Sequence, residues 1–496
     1  MNPQIRRLFY VLVGLFVALV AMSSYWLWDA PNLEAKRGNP NLLVKQLTIK
    51  RGLIYASDGR TVLAKNRKLK KKGFGRPWYL RVYPRGDLAA HPVGYSTIER
   101  SRTGIEKSFN DYLTGSNANL DTVVDNTLDK LRGLTQEGNN LVTTLNLRGQ
   151  RAAMQGLAGK CGAAVAIEPS TGRVLVIASQ PSYNPNLVEG HFGRIVRQAA
   201  GAPCRPPSPL LNRGTQGLFI PGSTFKVITA AAALDTGRFT PQSRFTDPGY
   251  CIEYGKRVSN FADQSGPEVF GNVDFVEALQ HSINAVFCNI GKALGAATVL
   301  EYAQRFGFYE EPPIELPSEE IAPSGLYRRG RLYLPKDPNA VDPGRLAFGQ
   351  ERLLATPLQM ALVAAGIANH GVVMRPTLLG RIETPDGKVI ERTNPEKWKD
   401  AIKPRTAAEL TAMMEAVVQG GTGTAAQIPG VSVAGKTGTA ETGRSGHNDT
   451  WFIAFAPADR PRVAVAVALS DQSGTGGTTA APIAKAIMEA ILRRNP

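Results

Sequence analysis

FIPGSTFKVITAAAALDTG, residues 219–237, opens like a turn and continues like a buried helix. Pro221 and Gly222 make the turn. Ser223 then stands at a helix amino terminus, and Lys226 follows one turn later on the same face. A serine hydroxyl is a weak nucleophile at neutral pH and needs a base beside it. A lysine serves once burial and nearby positive charge lower its pKa, and this one is set in an apolar run. The helix amino terminus adds a positive field and free backbone amides that can face an oxyanion. Taken alone, the pair reads more readily as a capping serine with a snorkelling lysine. The chemical reading depends on what else the chain supplies.

It supplies two more clusters. HSINAVF, 281–287, sets Ser282 and Asn284 two apart at the entry to a helix, a hydroxyl to relay a proton and an amide to grip a peptide backbone. His281 does not make a serine–histidine pair with Ser282, because adjacent side chains do not face each other and no acid is placed to orient it. GKTGTAE, 435–441, lies in an expected strand. There Lys436 offers positive charge, Thr437 and Thr439 offer hydroxyls for a carboxylate, and Gly438 lets another backbone approach.

Around these clusters the chain alternates between textures. Residues 40–140 carry strand-like pieces, RGLIYA and WYLRVYP, and a helix-like patch, GIEKSFNDYLTG. From 141, LVTTLNLRGQRAAMQGLAG reads as a strand entering a helix, and GAAVAIEPSTGRVLVIAS as a hairpin about a Pro-Ser-Thr-Gly turn. A helix-rich middle follows. Strands return in VSVAGKTGT, DTWFIAFAP and RVAVAVALS, and APIAKAIMEAILRR closes as a helix. Strands at both ends with helices between predict an α+β fold, one antiparallel sheet closed by distant segments with an inserted helical lobe. The expected division is 1–7 cytoplasmic tail, 8–28 membrane anchor, 29–140 smaller amino-terminal domain and 141–496 catalytic domain.

The anchor rests on LFYVLVGLFVALVAMSSYWLW, 8–28, which holds no charge and matches the roughly 20 apolar residues a spanning helix needs. Arg6 and Arg7 before it and Asp29 after it place the amino terminus in the cytoplasm and the remainder outside. Trp26 and Trp28 suit the interface. A cleaved signal peptide would have a shorter apolar core and a small-residue cleavage site, and neither fits. Among 496 residues the net charge is +17, with 43% hydrophobic and 20% charged residues, ordinary for a globular chain apart from the basic excess. Part of that excess is KNRKLKKKG, 65–73, expected as a solvated loop, or else as a contact for anionic lipid or wall polymer. No zinc-finger spacing, RNA-binding aromatic motif or helix-turn-helix signature accompanies it, so nucleic acid is not expected. Cys161, Cys204, Cys251 and Cys288 lack C-x-x-C spacing, which argues against a metal site. Outside the membrane disulfides are allowed. Cys251 with Cys288 is one option among three pairings that sequence does not choose between.

S-x-x-K, S-x-N and K-T-G, in that order in one ectodomain, are far more specific together than apart, and they resemble the penicillin-recognising serine acyltransferases, in which they form one cleft. RGLIYASDGRTVLA, GIEKSFNDYLTG, AIEPSTGRVLVIASQPSYNPN, NRG at 212–214 and TPLQMALVAAGIANHG extend the likeness over nearly the whole chain. They are similar to class B penicillin-binding proteins, most like the short penicillin-binding protein A type. Two departures concern subtype only: Glu351 stands where many relatives carry glycine, and SDGRTVLA lacks the usual Asp-Arg pair.

The resemblance implies a fold and a reaction. The fold is the penicillin-binding, serine β-lactamase-like domain, with a pedestal or dimerisation-like domain before it. Ser223 attacks the penultimate D-Ala carbonyl of a peptidoglycan stem peptide and Lys226 takes its proton. The amides of Ser223 and Thr439 hold the oxyanion. Ser282 relays a proton to the leaving D-Ala and Asn284 aligns the substrate amide. Lys436, Thr437 and Thr439, about Gly438, hold the terminal carboxylate. A neighbouring stem amine then takes the acyl group, while β-lactams trap Ser223. No metal or cofactor is required, and the implied partner is a SEDS-family glycan polymerase of the division or elongation machinery. A D,D-carboxypeptidase would use the same motifs with water as acceptor, and a morphogenetic scaffold would leave them idle. A β-lactamase is disfavoured by the missing E-x-x-L-N stretch and the long amino-terminal domain.

Overall fold

The computed structural model describes residues 3–34, 47–73, 76–98, 101–116, 137–263, 266–444 and 446–493. Helix α1 (Pro3–Glu34) begins the chain, and its Pro3–Trp26 portion, with mean hydropathy 2.1, is long and apolar enough to cross a bilayer. None of that portion is buried by the rest of the protein. A helix with apolar residues on every face and no protein around it is what a bilayer would cover.

The first globular unit is a sheet built from β1 (Ile54–Tyr55), β2 (Val62–Gly73), β3 (Arg76–Val82) and β4 (Asn140–Thr143). A hairpin from far along the chain, Leu379–Glu383 and Val389–Arg392, pairs with β4 and completes six strands. The expected boundary at 140/141 falls inside β4, and the amino-terminal sheet borrows strands from beyond it. GIEKSFNDYLTG forms two short helices, Gly104–Ser108 and Asn110–Thr114. They carry Glu106, whose fully buried carboxylate accepts bonds from Arg51 and Arg81 and from the Tyr83 hydroxyl. The basic run at 65–73 is a correction: it is strand, paired with β3, and not loop. A two-stranded ribbon can be solvated on both faces, so Lys65, Arg67 and Lys68 are exposed while the backbone remains paired.

The second unit is a five-stranded antiparallel sheet of β5 (Cys161–Ile167), β6 (Val174–Gln180), β7 (Ala434–Arg444), β8 (His447–Ala456) and β9 (Val463–Gln472), in the order β7–β8–β9–β5–β6. Ala464 pairs with Ile167 and Ser470 with Cys161, so distant segments lie side by side, as expected from strands at both ends. Its helices include α2 (Leu147–Gly156), α3 (Lys226–Asp235), α4 (Phe275–Gln280), α5 (Asn284–Leu294), α6 (Pro357–Ala368), α7 (Pro404–Gly420) and α8 (Ala481–Leu492).

Helices cover both faces of this sheet, so its strands read as continuous apolar runs and not as alternating ones. Along β5, Val165 and Ile167 point into the core shared with α3 and α6, while Ala164 and Ala166 point into the core under α2 and α8. Helices α3 and α6 are buried on every face, which explains why neither shows an amphipathic pattern. Asn146 caps α2, Thr356 caps α6, and Asp274 and Glu277 form a capping box on α4, each satisfying amides the helix itself cannot. Two disulfides, Cys161–Cys204 and Cys251–Cys288, resolve the pairing left open by sequence.

Candidate active site

Pro221 and Gly222 do form a turn, and residues Gly222–Phe225 make one 3₁₀ turn that runs into α3. Gly222 has φ 51°, a left-handed conformation in which a Cβ would also stand 3.0 Å from the Ala440 Cβ. Its amide donates to the Gly349 carbonyl, 3.1 Å away. Ser223, half-buried, therefore sits where the helix start meets strand β7. Among the described residues its hydroxyl has no hydrogen-bond partner.

Strand β7 is the edge strand of its sheet, so one side is free to receive an extended peptide. It packs against the Ser223 turn at Gly438, where a Cβ would meet the Pro221 carbonyl oxygen at 2.9 Å and the Thr224 methyl at 3.0 Å. Only glycine lets strand and helix close to this distance. The register pairs Gly438 with Trp451 and Thr439 with Thr450. The Trp451 indole N–H donates to the Ile220 carbonyl at 2.9 Å and fixes the approach to the turn.

Lys226, Ser282, Asn284 and Lys436 converge. The Lys226 amine donates to the Ser282 carbonyl at 2.6 Å and to Asn284 Oδ1 at 2.7 Å, and lies 3.3 Å from Ser282 Oγ. The Lys436 amine donates to Ser282 Oγ at 2.8 Å and to the Thr437 carbonyl at 2.9 Å. Ser282 thus bridges two lysines. It does so from a left-handed backbone, φ 60°, in the turn between α4 and α5, a strained conformation for a residue with a side chain. Asn284 also donates to the Ser259 carbonyl at 3.1 Å, which fixes its amide orientation and presents oxygen to Lys226.

Both lysines are fully buried, and every hydrogen bond they make runs to a carbonyl, hydroxyl or amide oxygen. Burial pushes the Lys226 ammonium well below its ordinary range, and the neighbouring Lys436 charge pushes it further. Burial alone brings Lys436 down to about 7. A neutral lysine amine keeps two protons and one lone pair. Once Lys226 is neutral, the two shorter bonds, to Ser282 O and Asn284 Oδ1, hold its two protons, and its lone pair can accept a proton.

The structure therefore brings together Ser223, Lys226, Ser282, Asn284, Lys436, Thr437, Gly438 and Thr439. His281 turns away from this group and stacks on Phe270, ring centroids 5.2 Å apart. Three contributors escaped the sequence reading. Thr422 Oγ1 lies 2.6 Å from Thr437 Oγ1, and its only signal was a Gly/Thr-rich run before β7. Gly349 buttresses Gly222 across a distance no local pattern reveals. Asp449, at the mouth of an apolar strand, accepts from the Ile220 amide at 3.2 Å, and burial raises its carboxyl to about 6.

Residues 162–489 match the family model described as the penicillin binding protein transpeptidase domain, and residues 51–141 match the penicillin binding protein A dimerisation domain. Over 99% of both chains, this one is 37% identical to the peptidoglycan D,D-transpeptidase PbpA of Mycolicibacterium smegmatis. It is 35% identical to PbpA of Mycobacterium tuberculosis, with 100% of each covered. Among solved structures, penicillin-binding protein A from M. tuberculosis as its ceftriaxone acyl-enzyme complex superposes with TM-score 0.79 at 34% identity, covering 91% of this chain and 100% of that one. A D,D-transpeptidase domain from Eggerthella lenta gives TM-score 0.74 at 33% identity, covering 90% and 98%.

Proposed function

The chain belongs to the class B penicillin-binding proteins, and on that premise we propose that its cleft runs a peptidoglycan D,D-transpeptidase reaction through an acyl-enzyme on Ser223. The observation that carries the residue roles is the bonding of Lys226. It donates to Ser282 O and Asn284 Oδ1, burial and the Lys436 charge push its pKa well down, and it lies one helical turn from Ser223. Lys226 takes the Ser223 proton as Oγ attacks the penultimate D-Ala carbonyl. The amides of Ser223 and Thr439 receive the oxyanion, each donor of this kind contributing about 3 kcal/mol to the transition state. Ser282, between the two lysines, passes the proton to the departing D-Ala. Asn284 aligns the substrate amide, and Lys436, Thr437 and Thr439 hold the carboxylate. β-Lactams, which present a carbonyl and a carboxylate at similar spacing, acylate the same serine.

The wider reading belongs to the same proposal. Helix α1 anchors the protein with residues 1–7 in the cytoplasm and the catalytic unit on the outer face of the plasma membrane. The unit about the six-stranded sheet forms the pedestal and the unit about the five-stranded sheet the transpeptidase domain. The anchor and pedestal contact a SEDS-family glycan polymerase.

The test is covalent labelling of the full-length chain in detergent by a fluorescent penicillin, beside Ser223→Ala. Persistent label on the wild type alone supports the mechanism. Rapid loss of label with drug hydrolysis would make it a β-lactamase, and D-Ala release without cross-links a carboxypeptidase. No label on folded protein would overturn the assignment and leave a scaffold.

A further inference from the structure

A cavity of about 470 Å³ has in its wall Thr422, the hydrogen-bond partner of Thr437. Glu268, Val269, Phe270, His281, Gly421 and Thr422 line it. Its wall is pinned to two of the three motifs. Thr422 Oγ1 meets Thr437 Oγ1 at 2.6 Å, while the Thr422 amide donates to the Gln280 carbonyl, two residues before Ser282, at 3.3 Å. Gly421 lies so close to that carbonyl that a Cβ would stand 2.3 Å from its oxygen. The cavity is thus held rigidly at the Thr437 end of the cleft, where the carboxylate of the leaving D-Ala is assigned.

We propose that this cavity receives the acceptor, a peptide carrying a primary ammonium group, with Glu268 attracting that charge as it enters, before the freed amine moves on to the acyl carbon. The inference rests on the transpeptidase reading above. The acceptor nitrogen must occupy the position the leaving D-Ala nitrogen has vacated, because both bond to the same acyl carbon along the same line. The chain behind that nitrogen then leaves the cleft past the carboxylate site, and the cavity bounded by Thr422 is the space found there. The charges agree. The donor carries a carboxylate and meets Lys436, whereas the acceptor arrives as a cation and meets a cavity whose lining, among the described residues, carries the Glu268 carboxylate, in a protein of net charge +17. Phe270, with His281 stacked on it, supplies an apolar floor for the aliphatic stem of such a side chain. The ammonium gives one proton to solvent at the open mouth. Its nitrogen then forms the C–N bond as the Ser223 Oγ–C bond breaks, and its second proton returns to Ser223 Oγ through Lys226.

The experiment uses the full-length chain in detergent with a thioester donor and a tripeptide bearing a free side-chain amine. Hydrolysed and aminolysed products are measured separately by mass spectrometry. Glu268→Lys should lower aminolysis at subsaturating acceptor about tenfold through the acceptor KM, the effect of losing one charge-assisted contact. Penicillin acylation and thioester hydrolysis should stay within about twofold. Val269→Lys, at a position 65% exposed and so without consequence for folding, should act in the same direction. An unchanged ratio of aminolysis to hydrolysis in both variants overturns the proposal. So does an equal fall in acylation, which would assign the cavity to the donor. A wild type that no penicillin labels would refute the transpeptidase reading itself, a result distinct from selective loss of acceptor use.

Discussion

Replacing Lys436 by methionine should make the protein more stable and inactive at once. The ammonium is fully buried with hydroxyl and carbonyl partners only, and its pKa falls from 10.5 to about 7. That difference of roughly 3.5 units, at about 1.4 kcal/mol per unit, would cost about 5 kcal/mol for a fully charged lysine, and with the folded lysine half-deprotonated it costs about 4 kcal/mol at pH 7. Methionine removes the cost but leaves the Thr437 carbonyl without its donor, which returns about 1–3 kcal/mol. The net expectation is a gain of about 2 kcal/mol at pH 7. The sign of the pH dependence follows from proton binding. Between pH 7 and 10.5 the unfolded wild type binds more protons at this site than the folded one, so wild-type stability rises with pH and the variant lacks this contribution. The advantage of the variant should therefore shrink by about 2 kcal/mol between pH 7 and pH 9. Denaturant midpoints at the two pH values, with unchanged m-values, measure both quantities. A variant less stable than wild type at pH 7, or an advantage independent of pH, would refute the reasoning that Lys436 is held at the expense of the fold.

The rate of penicillin acylation should trace a bell against pH. It rises as Lys226 loses its proton and becomes a base, and falls above about 7 as Lys436 loses the charge that holds the carboxylate; a flat profile would contradict both roles. Glu106→Gln leaves Arg51 and Arg81 buried without their counter-charge and should cost about 3–5 kcal/mol in denaturant unfolding of the amino-terminal unit; a loss under 1 kcal/mol would show the triad to be solvated. Wild-type burial acts to raise the Glu106 carboxyl, but the two guanidiniums outweigh it and hold it low, so this stability is present at neutral pH and is lost as pH falls through that lowered value. Glu351→Gly should stabilise the protein by about 1 kcal/mol, because Glu351 adopts φ 40° with a side chain that glycine would not carry; a lower unfolding midpoint would show the carboxylate to be needed.

That last residue illustrates how far the sequence reaches. The resemblance marks 351 as a position where many relatives carry glycine, and the left-handed backbone of Glu351 supplies a physical ground for that. The local features were legible because local chemistry fixes them. Pro221-Gly222 makes a turn in any context, an apolar decapeptide buries itself as α3, and a charge-free stretch of about 20 residues forms a helix suited to lipid. The motif residues were legible because the order of three weak signals is itself improbable. The basic run 65–73 was misread because charge predicts solvation, and solvation is compatible with a paired ribbon as readily as with a loop.

What the sequence by itself determined is which side chains carry the three motifs and where most of the helices and strands lie. Tertiary structure alone decided their protonation and their partners. The Lys226 pKa falls because α3 is buried on every face and Lys436 is brought near from 210 residues away. Ser282 bridges two lysines only because its turn takes a left-handed backbone. The disulfide pairing, the contribution of Thr422 and the hairpin that completes the amino-terminal sheet are likewise set by contacts between distant segments. Desolvation and long-range electrostatics depend on what surrounds a group in space, and that information is absent from any local stretch of chain.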